Sequence, residues 1–202
     1  MSSALQTRRR WTYSDLVALP DDRLRHELID GEHFLSPSPD LAHQEISKRL
    51  FLALNAHVER HRLGEVLYAP FDIKLSPWTV LVPDLVYFAA SRFAEVVNEK
   101  HATAAPDLVV EVLSAGTRRR DLGRKRAVYD RDGAREYWIV DPEAQTITVL
   151  RRPHAGAGLT DAAVHALADN DALESPLFPG LKLRLRDVFR GRGAGGAAAA
   201  RR

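Results

Sequence analysis

Apolar residues repeat with a helical period in one part of the chain and with a period of two in others, which separates predicted helices from predicted strands. The clearest helix covers about residues 41–62, because apolar residues recur there every four positions after Asp40, a good N-cap. Those apolar residues are Ile46, Leu50, Leu54 and Val58. Shorter helices are predicted over 14–19, which Pro20 ends, and over 91–99.

Alternation of apolar and polar residues predicts the strands. Asp30-Gly31 lies between two short apolar runs and predicts an N-terminal hairpin. Residues 108–113 are apolar on both faces except at Glu111, which is typical of a covered strand in the centre of a sheet. The remaining strands are predicted over 66–75, 80–88, 137–140, 146–150 and 181–186.

The order of these elements predicts an α/β fold of the α+β type, in which helices flank a central mixed sheet. Strands and helices do not alternate regularly, so a plain Rossmann or barrel alternation is excluded. The 202 residues suffice for one domain, which we place at 11–189. Residues 1–10 are predicted to be a flexible N-terminus. Residues 190–202 contain only Arg, Gly and Ala, which predicts a disordered tail.

Composition excludes several classes of site. The chain has no cysteine, so disulfides, zinc sites with cysteine ligands, iron–sulfur clusters and thiol nucleophiles are excluded. The net charge is only +2, so a role in binding anions depends on local clusters of basic residues. No segment has the roughly 18 apolar residues of a membrane span, and polar residues follow the N-terminal arginines, so we expect a cytoplasmic protein. Phosphate-binding loops and dinucleotide motifs are absent, which argues against a nucleotide cofactor.

Two acidic residues interrupt apolar strands. Asp84 is the lone carboxylate of the strand predicted over 80–88, and Glu111 is the lone carboxylate of 108–113. A buried charge costs several kcal/mol unless it is paired or binds a metal. On neighbouring strands the two carboxylates could converge on a hard cation such as Mg²⁺. The alternative is that each lies at a strand end, solvated or paired with an arginine.

A basic segment follows the strand of Glu111, inside a helix predicted over 117–132. Between Arg118 and Arg126 it carries six basic residues and one acid, Asp121. Lys125 lies four residues after Asp121, so the two share one helix face. They could form an ordinary ion pair on a solvated helix. A lysine also loses its proton more readily than an arginine, which favours a catalytic role for Lys125.

Several motifs in order resemble the Uma-type putative restriction endonuclease family, within the PD-(D/E)XK nuclease superfamily. The resemblance covers about residues 11–189. Its downstream motifs are Pro83-Asp84, Glu111-Val112-Leu113-Ser114, Asp121, Lys125, Tyr129 and residues 136–142. Its upstream motifs are Leu19-Pro20, residues 27–32, Ser36-Pro37 and His43.

This resemblance implies a restriction-endonuclease-like core, with Asp84 and Glu111 as Mg²⁺ ligands and a lysine that orients or activates the attacking water. The chain departs from the superfamily at Leu113, where that lysine is expected. Lys125 on the following helix occupies the position that takes over its role in this family.

Other residues are weaker candidates for the same site. Glu27 and His43 could support it, although Glu27 could instead pair with Arg23 or Arg25, and His43 could be a hydrogen-bonded core residue. Asp121, Ser114 and Tyr129 are further supporting candidates, with turn capping for Ser114 and packing for Tyr129 as alternatives. The residues expected to follow a nucleic-acid backbone are Arg118, Arg119, Arg120, Arg124 and Arg126.

The main functional hypothesis is therefore an endodeoxyribonuclease that uses Mg²⁺, or Mn²⁺ in its place, to hydrolyse phosphodiester bonds. Duplex DNA is the expected substrate, and by analogy with the fold we expect a homodimer. The competing hypothesis is a catalytically inactive nuclease-fold module that binds nucleic acid or a protein. A third hypothesis is a metal-dependent phosphoesterase for small substrates, in which the arginine cluster would be expendable.

Overall fold

The structure is a computed structural model that describes residues 9–22 and 24–190. Residues 1–8 and 191–202, which make up most of the predicted flexible N-terminus and disordered tail, lie outside the described residues, as does Arg23. No helix in the described part of the chain is long and apolar enough to cross a membrane.

The helices surround the sheets, and the longest of them follows the sequence prediction. They are α1 (Tyr13–Val17), α2 (Leu41–His61), α3 (Ala90–Val96), α4 (Arg118–Arg120), α5 (Arg126–Arg131) and α6 (Leu185–Val188), with a π-helical turn over Asp121–Lys125 and a 3-10 turn over Leu167–Asp169. In α2 the Asp40 side chain caps the first turn by accepting the His43 N–H at 2.8 Å. The predicted apolar stripe of α2 is buried, so this helix is confirmed.

The strands form two larger sheets and one short pair. They are β1 (Arg25–Ile29), β2 (Glu32–Ser36), β3 (Gly64–Tyr68), β4 (Asp72–Ser76), β5 (Thr79–Leu81), β6 (Leu85–Ala89), β7 (His101–Ala102), β8 (Leu108–Val112), β9 (Glu136–Asp141), β10 (Thr146–Arg151), β11 (Thr160–Ala166), β12 (Ala172–Leu173) and β13 (Leu183–Arg184). The six-stranded sheet has the order β11-β10-β9-β8-β6-β3, and the five-stranded sheet has the order β2-β1-β5-β4-β7. The N-terminal hairpin is therefore β1 and β2.

The six-stranded sheet is mixed, as predicted, because β8 pairs in parallel with β9 and antiparallel with β6. Every residue of β8 is buried. Leu108, Val110 and Val112 pack into the core that contains the α2 stripe. Val109 packs on the opposite side with Val128 of α5. This confirms both the central position predicted for β8 and the fold of a mixed sheet flanked by helices.

Two predicted strands are each broken in the structure. The strand predicted over 66–75 is β3 and β4, and the strand predicted over 80–88 is β5 and β6, with the members of each pair in different sheets. Pro70 and Pro83 stand at the two breaks and have no N–H for a ladder hydrogen bond, so pairing stops there. Asp84 consequently lies in the link before β6 and not within a strand.

The C-terminal prediction is wrong in part, and three strands were missed, the two-residue strands β7 and β12 and the longer β11. Over 181–186 only Leu183 and Arg184 form a strand, because Leu185 begins α6 and buries itself with Val188 at helical spacing. Strand β11 gave no alternating signal, because it lies at the sheet edge and its residues are mostly small or polar and largely exposed. Tertiary contact with β10 therefore forms a strand that the sequence pattern does not predict.

Candidate active site

Asp84 and Glu111 meet where β6 begins beside the end of β8. The ladder between these strands ends at the pair of Leu85 and Val110. Two residues further on, the N–H of Val112 donates to Oδ2 of Asp84 at 2.9 Å. Both carboxylates line one small cavity of about 20 Å³. A volume of that size holds about one water molecule or one ion.

Lys125 is buried against Glu111 and is not part of a solvated ion pair. Its Nζ lies 2.9 Å from Oε1 of Glu111 and 2.8 Å from Oε1 of Glu27, and the lysine side chain is only 3% exposed. The predicted contact with Asp121 exists at 3.4 Å, inside the same cluster. The segment Asp121–Lys125 is a π-helical turn, a local widening of a helix that is frequent at functional sites. This turn directs both side chains inward.

Glu27 of β1 belongs to this cluster and links it to the neighbouring sheet. Its Oε1 also accepts the N–H of Val82 at 3.0 Å, and its Oε2 accepts the Ser36 hydroxyl at 3.1 Å. Arg120 approaches the same Oε2 at 3.2 Å with a side chain that is 10% exposed. The ion pairs of Glu27 are with Lys125 and Arg120, and not with Arg25, the alternative partner considered from the sequence.

Asp84 has its own set of basic partners. The Arg25 guanidinium lies 2.9 Å from Oδ1, and Nε2 of His43 lies 3.0 Å from Oδ2. His43 lies in the first turn of α2, and its Nδ1 is 3.4 Å from the Ser47 hydroxyl. His43 is therefore both buried and in direct contact with the candidate metal ligand. Arg25 is the site residue that sequence reasoning missed, because its position in the hairpin gives no sign of a partner so distant in sequence.

Tyr129 and Ser114 complete the surroundings of Glu111. The Tyr129 hydroxyl donates to Oε1 of Glu111 at 3.1 Å, so this residue does more than pack. Ser114 lines the small cavity, and its hydroxyl lies 3.0 Å from that of Thr117, which begins the turn into α4. The Tyr137 hydroxyl donates to the backbone carbonyl of Asp121 at 3.0 Å and holds the π-helical turn against β9.

The electrostatics of the cluster keep Lys125 positively charged. Burial alone would lower the pKa of Lys125, but Glu111, Glu27 and Asp121 together raise it well above its ordinary value. Lys125 is thus a buried cation held by three carboxyl groups. A catalytic role for Lys125 stays a prediction.

The carboxyl groups divide into two kinds. Burial and the nearby carboxylates of Asp121 and Asp84 raise the pKa of Glu111 well above its ordinary value, in spite of Lys125. Burial also raises the pKa of Asp121. In contrast, the partners of Asp84 outweigh its burial, so hydrogen bonding and charge from His43 and Arg25 lower the pKa of Asp84. Burial therefore acts on Glu111 and Asp84 alike, but only for Asp84 do the basic partners outweigh it.

The donor set of the cavity fits a hard divalent cation. Among the described residues no group of three or more acidic or histidine side chains is arranged to hold a metal. The two carboxylates on the cavity wall nevertheless match the predicted pair, to which carbonyl and water oxygens would be added. The buried cluster brings together four acidic side chains, which are Glu27, Asp84, Glu111 and Asp121. Their basic partners are Arg25, His43, Arg120 and Lys125.

Four of the five predicted arginines form ion pairs with acidic residues of the protein. Arg118 pairs with Asp141 at 2.7 Å, Arg126 pairs with Asp161 at 3.3 Å, and Arg124 pairs with Glu32. Arg120 points into the buried cluster. Arg119 is exposed and has no ion pair within residues 9–22 and 24–190. A role of these arginines along a nucleic-acid backbone stays a prediction. It requires the arginines to leave their acidic partners and bind phosphates instead.

A much larger groove adjoins the small cavity. Its volume is about 720 Å³. The two share Arg25, Ser36, Pro37, Pro39, His43 and Asp84 as lining residues. The groove extends from there along α2 to Phe51 and to Tyr68 at the end of β3. A bound molecule in the groove would therefore reach the candidate metal ligand Asp84.

Comparisons with known proteins give a family and a related fold. Residues 13–186 match the model of the Uma2 family, whose description is "Putative restriction endonuclease". A crystal structure described as a putative nuclease belonging to DUF820, from Anabaena variabilis ATCC 29413, matches with a TM-score of 0.69 and 22% sequence identity. The match covers 88% of this chain and 97% of that chain, and at this identity it establishes the fold alone. No curated protein matches the chain significantly.

Proposed function

The chain belongs to the Uma2 family of putative restriction endonucleases, and on that premise we propose that it is a divalent-metal-dependent endonuclease that hydrolyses phosphodiester bonds in DNA. The observation that carries the proposal is the convergence of Asp84 and Glu111 on one ion-sized cavity, with Lys125 against Glu111. A nuclease needs both carboxylates for a metal and cations beside them for the phosphate.

Asp84 and Glu111 are the residues that would hold Mg²⁺, or Mn²⁺ in its place. When bound, such an ion polarises a phosphoryl oxygen and lowers the pKa of a water molecule. Lys125 keeps Glu111 in position and contributes a preorganised positive charge at the cavity wall. Arg25 is 22% exposed and lines both the cavity and the groove, so its planar guanidinium suits a phosphate there.

Cleavage of supercoiled plasmid with Mg²⁺ or Mn²⁺ tests this function directly. We expect the wild type to nick the plasmid, and we expect EDTA to abolish nicking. The variants Asp84→Asn and Glu111→Gln should lose activity by about 10²-fold or more, because each removes a charge at the cavity. Glu32→Gln is the matched control, since Glu32 is an exposed acid of the adjacent hairpin that pairs only with Arg124 in the described chain. Cleavage that persists in EDTA, or in Glu111→Gln, contradicts the proposal.

One observation favours the second candidate, a catalytically inactive module that binds nucleic acid or a protein. The oxygens of Asp84 are already bound by Arg25, His43 and the Val112 N–H, and Glu111 is bound by Lys125 and Tyr129. A site satisfied in this way is stable without metal. If calorimetry detects no binding of Mg²⁺ or Mn²⁺ while DNA still binds, the module is the better description.

The homodimer and duplex substrate are proposed by analogy with the fold. A symmetric dimer would place two such cavities on opposite strands. Sedimentation of the chain with and without duplex DNA tests this, because a dimer doubles the mass of the protein component and a monomer does not.

A further inference from the structure

The groove beside the candidate active site is lined by an aromatic pair, of which Tyr68 is exposed and Phe51 is partly buried. The rings of Phe51 and Tyr68 meet edge to face, with centroids 4.9 Å apart and planes at 70°. Tyr68 is 63% exposed, so most of its ring faces the groove or solvent. Single exposed aromatic residues are common on proteins, but a pair within a concave groove is a typical lining of a ligand site.

The backbone fixes this aromatic pair next to the candidate metal ligand. Tyr68 ends β3 directly opposite Leu85, the residue that follows Asp84. The next N–H along the chain, that of Ala69, donates to the carbonyl oxygen of Asp84 at 3.0 Å. The Tyr68 ring and the Asp84 carboxylate are therefore carried by adjacent positions of one strand pair.

Positive charge accompanies the aromatic pair. Lys48 lines the groove one helical turn before Phe51 and is exposed. Within the part of the chain that the structure describes, Lys48 makes no ion pair. Arg25 lies at the other end, where the groove meets the small cavity. A largely exposed tyrosine ring in a groove that also carries two cations matches a nucleotide, whose base stacks and whose phosphates are anionic.

We propose that this groove binds an unpaired nucleobase of the substrate strand, stacked on Tyr68, while Arg25 and Lys48 contact the flanking phosphates. The inference rests on the proposed nuclease function and names the substrate feature that the same site selects. A base inside a duplex has both faces covered by its neighbours, so only a base that has left the stack can use the Tyr68 ring. The base could come from a single strand or from a base flipped out of a duplex.

Binding in EDTA tests the subsite without cleavage. The ligand is a fluorescein-labelled single strand of about 12 nucleotides, within the range of sites that proteins use on single strands. Fluorescence anisotropy of the full chain should show binding that Tyr68→Ala weakens about tenfold, since stacking on one aromatic ring contributes that order of affinity. Tyr68→Phe keeps the ring and should bind like the wild type.

Trp78→Ala is the matched control. Trp78 is also a partly exposed aromatic residue, at 39%, but it packs against Arg10 and does not line the groove. Circular dichroism and thermal melting confirm that each variant is folded. The proposal is overturned if the wild type does not bind the single strand, if Tyr68→Ala binds within twofold of the wild type, or if Trp78→Ala weakens binding equally.

A fluorescent base distinguishes the two sources. 2-Aminopurine is placed once in the single strand and once, opposite thymine, in a duplex. The fluorescence change is compared between the wild type and Tyr68→Ala on each substrate. A change that requires Tyr68 and occurs only with the single strand identifies a single-strand site. A change that requires Tyr68 and occurs with both the single strand and the duplex identifies base flipping. A change in neither overturns the proposal.

The binding measurements and the plasmid cleavage assay together separate the subsite from the catalytic function. Binding that depends on Tyr68 without any plasmid cleavage supports the subsite and contradicts the nuclease. Metal-dependent cleavage with binding independent of Tyr68 supports the nuclease and contradicts the subsite.

Discussion

At the scale of single residues, the buried cluster around Lys125 governs both stability and chemistry. Lys125 is in contact with Glu27, Glu111 and Asp121 in an environment that water barely reaches. A buried ion pair adds little net stability, but removal of one partner leaves uncompensated charge. Lys125 is the shared partner of the acids, so its loss affects all of them.

We therefore predict that Lys125→Met destabilises the protein by about 3–5 kcal/mol, the usual cost of breaking a buried ion pair. Urea unfolding measures this free energy. Lys100→Met is the control, because Lys100 is exposed, and it should change stability by less than about 0.5 kcal/mol. A loss below about 1 kcal/mol for Lys125→Met would mean that the acids are already neutral or hydrated.

At the scale of elements, the π-helical turn carries two side chains of the buried cluster, Asp121 and Lys125. A regular helix would also place Asp121 and Lys125 on one face, as the sequence pattern predicts. The π-helical turn over Asp121–Lys125 lies between α4 and α5. The side chains of Asp121 and Lys125 are buried in the cluster, and Gly123 is exposed. Lys125 on this turn thus contacts Glu111 of β8.

Gly123 and Gly133 form a matched pair for testing this element. A Cβ at either position would meet nothing within 4 Å, but Gly133 has a φ of +93° and Gly123 lies within the helical segment. Gly123→Ala should raise the free energy of unfolding by about 0.4–1 kcal/mol, because it restricts the unfolded chain. Gly133→Ala should lower it by a similar or larger amount, because alanine is strained at that φ. Destabilisation by Gly123→Ala would show that the turn requires glycine.

Asp141, at the end of β9 in the hairpin with β10, should make the stability of the protein depend on pH. Asp141 accepts hydrogen bonds from Arg118 at 2.7 Å and from the N–H of Glu143 at 3.1 Å. The Arg118 hydrogen bond is the largest of the effects that lower the pKa of Asp141. A carboxyl group with a lowered pKa in the folded state stabilises above its unfolded pKa of about 4, and this stability is lost as the pH falls through the folded value.

Asp141→Asn should therefore destabilise the protein at neutral pH by about 1 kcal/mol, and the difference from the wild type should shrink below about pH 4. Urea unfolding across the acidic range measures it. Asp161→Asn serves as the control, because its ion pair with Arg126 is exposed and should contribute almost nothing. A difference that is constant with pH would assign the effect to turn geometry instead of charge.

At the scale of the whole molecule, the site lies where two sheets meet. The five-stranded sheet contributes Glu27 and Arg25 from β1, and the six-stranded sheet contributes Glu111 from β8. Asp84 lies on the link that passes from one sheet to the other. Any ligand held by Asp84 and Glu111 therefore stabilises the packing of both sheets against each other.

For this reason we predict that Mg²⁺ or Mn²⁺ raises the melting temperature. At about 100 times its dissociation constant, a ligand of the folded state adds ~2.7 kcal/mol, which corresponds to about 5–10 °C for a chain of this size. Thermal melting of the wild type with each metal measures the shift. Asp84→Asn should abolish it, and Glu32→Gln should not. An unchanged melting temperature in the wild type would argue against a metal in this cavity.

The sequence by itself was enough to predict the two strongest elements, α2 and β8, and to single out the acidic pair. The four-residue stripe of α2 and the continuous apolar run of β8 are strong local patterns, because each buries a whole face. Asp84 and Glu111 stood out because a carboxylate is costly among buried apolar residues. These inferences need only burial and periodicity, which are properties of neighbouring residues.

Only the tertiary structure decided how these elements meet. The breaks at Pro70 and Pro83 send one predicted strand pair into two sheets, and Arg25 reaches Asp84 across 59 positions of sequence. The charge state of Lys125 likewise depends on acids from β1, β8 and its own helical turn. Contacts between distant segments and the pKa values that follow from them arise when the sheets pack together, so no local pattern in the sequence contains them.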